Sequence, residues 1–138
     1  MAKLNSVYNR FNIGSFCSAK TLHKLELGSK ALIISDCEGF EVELFDVQLA
    51  SLLEPHDLLI ELHDFVDITI SSKIKKLFAG SHIVHSIFSI DDIQKAHSYS
   101  FLGVNDYSLD QRRILLAEKR PSVMEWVYLT SKNKLLNC

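Results

Sequence analysis

The sequence predicts an α/β layered domain of about four strands with flanking helices. Three observations carry this prediction. The runs Ala31-Leu-Ile-Ile-Ser35 and Leu58-Leu-Ile-Glu61-Leu62 have the length and apolar continuity of parallel strands buried on both faces. The intervals around them show helical periodicity. Helix and strand then alternate along the chain, as in sheets built by right-handed crossovers.

The elements follow in order. Leu4, Val7, Phe11 and Ile13 suit an extended or frayed lead-in with Gly14 as its turn. Ser18 to Leu27 is predicted helical, with Ser18 as N-cap, Ala19, Leu22 and Leu25 sharing a face, and Gly28 as the stop. The first strand is Ala31 to Ser35. Glu41 to Leu53 returns to helical spacing through Val42, Phe45 and Leu49 until Glu54-Pro55-His56-Asp57 breaks it. The second strand is Leu58 to Leu62. Ile70 to Phe78 reads as an amphipathic helix closed by Gly80, and His82 to Ile90 is β-branched and aromatic enough for a third strand. Asp91 and Asp92 cap a helix from Ile93 to about His97. Residues 99–110 read as a loop, Ile114 to Lys119 as helix or strand, and Met124 to Leu129 as the closing strand.

Composition bounds the function. The 138 residues fit a single domain, 1–138, and 47% hydrophobic against 23% charged residues excludes wholesale disorder. A formal net charge of −2, with Lys73 to Lys76 the nearest thing to a basic cluster, argues against nucleic-acid binding. No apolar run approaches the roughly 18 residues needed to span a bilayer, and the amino terminus lacks a signal-peptide core. Cys17, Cys37 and Cys138 form no Cys-x-x-Cys pair, which points to a reducing, cytoplasmic setting. The neighbouring acids disfavour a Cys37 thiolate.

The chemistry gathers where the two confident strands end. Asp36 and Glu38 follow the first, with Gly39 to let the backbone turn sharply. One reading makes either acid a helix cap. The other has them bind a hydroxyl or amine, act as general base, or hold a divalent cation. The second strand carries Glu61, His63 and Asp64. Glu61 and His63 point to one side, and a charge inside an apolar strand needs a partner. His63 is the candidate general base, and Glu61 and Asp64 are candidate substrate-binding groups. His82 and His85, three apart in a strand, face opposite sides and make a poor metal pair. His23, His56 and His97 read as surface or capping residues. Glycines at 14, 28, 39, 80 and 103 leave no Gly-x-Gly spacing, and no Gly-Lys-Ser/Thr or Gly-x-Ser-x-Gly occurs.

At these residues the chain resembles the class I S-adenosylmethionine-dependent methyltransferases, particularly the FkbM-type group. Asp36, Glu38, Gly39 and Glu41 match its Asp-x-Glu-Gly-x-Glu, and Leu58 to His63 match its Leu-Leu-Ile-Glu-x-His. Ile13 to Leu22 is similar to the stretch before the first motif, and Glu118 to Trp126 to the approach to the last strand. The resemblance implies a partial Rossmann-like methyltransferase sheet, mixed, with its last strand antiparallel. In the family's order, 3-2-1-4-5-7-6, this chain would supply strands four to seven. It implies catalytic roles for Asp36, Glu38 and His63 in methyl transfer to a hydroxyl, amine or carboxyl group. S-adenosylmethionine is the cofactor so implied, yet no residue here matches the family's glycine-rich cofactor loop or its acidic partner, so cofactor binding does not carry over.

The truncated sheet leaves Ala31 to Ser35 as an edge strand whose unpaired backbone invites another chain, and a homodimer through that edge or the apolar face beside it is expected. The rival function is a non-catalytic interaction module that assembles through the edge and uses its acids as caps. A receiver-like domain with Asp36 as phosphoacceptor lacks the earlier acidic pair and the later lysine it needs.

Overall fold

The computed structural model describes residues 5–6 and 8–134. Its strands are β1 (Leu32–Ser35), β2 (Asp57–Leu62), β3 (His82–Phe88) and β4 (Glu125–Ser131). Its helices are α1 (Ala19–Leu22), α2 (Glu41–Leu44), α3 (Val47–Leu52), α4 (Ile70–Phe78), α5 (Asp92–Ser98) and α6 (Leu109–Leu116). The strands form one sheet in the order β1-β2-β4-β3. β1 and β2 are parallel, with Ile33 opposite Leu58, while β4 runs antiparallel between β2 and β3. The α/β class and the mixed four-stranded sheet with its last strand reversed agree with the sequence prediction.

Period-two alternation puts the core on one face of this sheet. Leu58, Ile60, Leu62, Val127 and Leu129 face Leu44, Leu49, Leu53, Ile70, Ile74 and Phe78 from the helices. Each fully buried Leu, Ile or Phe contributes about 1.5–3 kcal/mol. α4 shows the logic most plainly: Ile70, Ile74 and Phe78, one helical turn apart, are its buried residues. Among the described residues no helix is long and apolar enough to cross a membrane.

Several expectations need correction. The first helix is confined to Ala19–Leu22, because Lys24 and Leu25 bond back three residues, to Thr21 and Leu22, in tightening turns. The predicted helix over Glu41 to Leu53 is two helices. Asp46 leaves the helical region and its carboxylate accepts the Leu49 amide at 2.7 Å, which starts α3 anew. Of the segment 114–119, the second half is neither helix nor strand, and the first half belongs to α6, which ends at Leu116 and begins earlier, at Leu109. Ser108 and Gln111 close a reciprocal capping box there. β1 is not buried on both faces: Leu32 and Ile34 are 56% and 64% exposed, because they lie on the edge strand and face away from the core. Leu4, Val7 and Cys138 lie outside the described residues.

His56 is neither surface nor cap. It is buried, its Nδ1 accepts the Ala31 amide at 3.1 Å, and its carbonyl accepts from His82 Nε2 at 2.9 Å. His82 is buried and His85 exposed, as their spacing implied. Burial lowers the His82 pKa below its ordinary 6.5, against the smaller opposing pull of the His56 carbonyl and of Asp57 and Glu54.

Candidate functional site

Two tight turns at the carboxyl ends of β1 and β2 build the site. After Ser35 the chain turns through Cys37, Glu38 and Gly39, and the Phe40 amide bonds to the Cys37 carbonyl at 3.1 Å. Glu38 and Gly39 both take positive φ, 56° and 98°. Such a conformation costs a non-glycine residue about 1–2 kcal/mol, so Glu38 holds a strained backbone at the site. After Leu62 the second turn closes with the Val66 amide on the His63 carbonyl at 2.8 Å. The turns touch at Gly39, where a Cβ would lie 2.9 Å from Val66 Cγ1. A side chain at Gly39 would wedge the two turns apart.

The contact brings Asp36, Glu38 and His63 together. His63 is 2% exposed, and its Nε2 lies 3.5 Å from both Asp36 Oδ1 and Glu38 Oε2. Its Nδ1 is 2.5 Å from Oε1 of Glu41, which is wholly buried in the first turn of α2. The same oxygen accepts the Gly39 amide at 3.2 Å. A carboxylate only accepts, so Nδ1–H points at Glu41 and Nε2 is the nitrogen left facing Asp36 and Glu38. Phe65 sets its ring edge-to-face against the imidazole, centroids 5.6 Å apart. Neither Asp36 nor Glu38 caps α2, since the residue at the cap position is Phe40 and no side chain bonds there. The capping reading of these acids therefore falls away.

These groups line a cleft of about 250 Å³ with Glu61, Phe65, Arg120 and Met124. Glu61 points into it with His63, as strand geometry required, and is paired with Arg120 at 2.8 Å. Arg120 also binds Glu118 at 2.7 Å, and Glu118 holds the buried Lys95. The hydrogen bonds that Arg120 donates to Glu118 and then to Glu61 raise its pKa further, while those donated by Lys95 and then Arg120 hold Glu118 below the usual carboxylate range. Asp64 stands apart from the cluster. Its Oδ1 accepts the Ser71 amide at 2.8 Å, tying down the first turn of α4.

Cys37 is unsuited to nucleophilic work. Burial is the main cause that pushes its thiol up to about 11, with the nearby Glu41 charge adding to it and the Ser35 hydroxyl opposing. The expected like-charge effect is thus the lesser cause. Glu41 and Arg120 are the site residues that sequence reasoning left unassigned. Glu41 had a signal, as an acid two residues after a turn glycine at a helix start. Arg120 lies 59 residues from Glu61 and had none. No family model, curated protein or solved structure matches this chain.

Proposed function

We propose that this chain supplies the acceptor side of a methyltransferase-like cleft on a partial, Rossmann-like sheet. The observation that carries the reading is the order β1-β2-β4-β3 with β4 reversed, the arrangement of the last four strands in the enzymes the sequence resembles. In this scheme the acceptor's hydroxyl or amine sits against Asp36, Glu38 and His63. His63, with Nδ1 held by Glu41, or Asp36 takes its proton, and Glu38 orients it. The described residues do not fit S-adenosylmethionine: Gly39, the glycine of the turn after β1, packs against Val66 rather than opening as a cradle. No step through the cofactor is assigned to them.

Calorimetric titration of the chain with S-adenosylmethionine tests this division of labour. The reading expects no binding in the micromolar range. Micromolar binding would show that the chain carries a complete site.

A second reading has its own support. Leu32 and Ile34 stand exposed on the edge strand β1, which fits an interaction module that pairs with a second copy of the chain. Light scattering at micromolar concentration should give a dimer, and Ile34→Lys should shift it to monomer. A monomeric parent chain would end this reading.

A further inference from the structure

The two carboxylates and the histidine have a geometry that proton transfer alone does not explain. At 3.5 Å, His63 Nε2 is too far from Asp36 Oδ1 and Glu38 Oε2 for an effective hydrogen bond to either. Two donors each about 2.1 Å from a tetrahedral cation lie about 3.4 Å apart, which is close to the observed separation. The three ligand atoms all fall within 4.8 Å of one another, and they are the cluster of this kind among the described residues.

A second observation concerns the histidine itself. His63 is buried and its Nε2 faces the cleft, where its partners are the two carboxylates at 3.5 Å, at the long limit of a hydrogen bond. Its other nitrogen is held by the buried Glu41, the carboxylate–histidine arrangement that fixes a metal-binding imidazole and raises its basicity. Glu41 Oε2 is likewise buried with no partner among the described residues. The cleft's cation, Arg120, is committed to Glu61 and Glu118. Apart from His63, no cationic side chain among the described residues pairs with Asp36 or Glu38.

We propose that Asp36, Glu38 and His63 Nε2 bind one divalent cation, with Glu41 as the positioning residue behind the histidine. One imidazole nitrogen with two carboxylates suits the Mn²⁺ and Zn²⁺ class rather than Ca²⁺, which takes oxygen ligands alone. The remaining positions face the 250 Å³ cleft, open to water or to a hydroxyl or amine ligand. The site goes beyond the acceptor-side reading and stands without it. If both hold, the cation occupies the Nε2 lone pair and lowers the acceptor's pKa, so that water rather than His63 takes the proton.

The test is titration of the chelator-treated full chain with MnCl₂, followed by calorimetry and by the paramagnetic resonance of free Mn²⁺, with no methyl donor present. One-to-one binding is expected. Glu38→Gln and Asp36→Asn should weaken it at least tenfold, Glu41→Gln by about 10–100-fold, and Glu26→Gln, at an exposed acid, not at all. Glu38 is 80% exposed, so Glu38→Gln leaves the core intact and reads the site even if the Glu41 variant unfolds. Absence of binding up to millimolar Mn²⁺, or binding unchanged in Glu38→Gln and Asp36→Asn, would overturn the proposal. Neither result bears on S-adenosylmethionine binding.

Discussion

Replacing Gly39 with alanine should separate the two demands that the β1–α2 turn places on one residue. The first is conformational: at φ 98° an alanine pays about 1–2 kcal/mol. The second is steric, because the new Cβ would lie 2.9 Å from Val66 Cγ1 and 3.1 Å from Val66 Cβ and Cγ2. Overpacking costs about 1–3 kcal/mol, and the low end applies because Val66 is 57% exposed and can yield. Loss of unfolded-state entropy returns about 0.4–1 kcal/mol. The net expectation is a destabilisation of about 2 kcal/mol. Gly28, at φ 67° with nothing within 4 Å of its virtual Cβ, isolates the conformational part, so Gly28→Ala should cost about 1 kcal/mol or less. Urea unfolding followed by Trp126 fluorescence and circular dichroism measures each variant. Gly39→Ala combined with Val66→Ala should lose less than the sum of the two single changes. If Gly39→Ala costs no more than Gly28→Ala, or the double variant is additive, the two turns do not meet as described.

Three further predictions concern ionisable groups. His82 is neutral in the fold, with its pKa lowered by burial, so the unfolded chain binds its proton first as pH falls through 6.5. Stability should be full above that pH and decline below it, and His82→Gln should flatten the difference in urea midpoints between pH 8 and pH 5. With its thiol at about 11 instead of 9.0, Cys37 should alkylate roughly 100-fold more slowly at pH 8 than an ordinary thiol, and the exposed Cys17 provides the comparison by peptide mass spectrometry. Arg120→Ala strands the buried Glu61 and should destabilise by about 1–2 kcal/mol in urea unfolding, the half-exposed arginine keeping the loss modest.

What could be read from the sequence was local. The spacing of Ile70, Ile74 and Phe78 placed α4 at Ile70–Phe78, because one helix face meets one sheet face. The ends of β1 and β2 announced Asp36, Glu38, Glu61 and His63, because strand ends in α/β sheets release side chains into clefts. Some local signals were present and went unread. Asp46, three residues before Leu49, marks a fresh helix start, and Ser108 with Gln111 is a capping box. Other features have no local signal. The burial of His56 depends on Ala31 and His82, each at least 25 residues away. The burial of Glu41 depends on its contact with His63, which comes from the turn after β2. Asp64 reads in sequence as a substrate-binding group beside Glu61, and only the path of the chain into α4 gives it to the Ser71 amide.

The claim that the carboxyl ends of β1 and β2 form an acceptor-binding cleft is tested most directly by amide chemical-shift mapping of the ¹⁵N-labelled chain titrated with small hydroxyl- and amine-bearing fragments. The account predicts saturable shifts concentrated at residues 36–41, 61–65 and around Arg120, weakened by Glu38→Gln. Shifts that map elsewhere on the sheet, or that persist unchanged in Glu38→Gln, would contradict it.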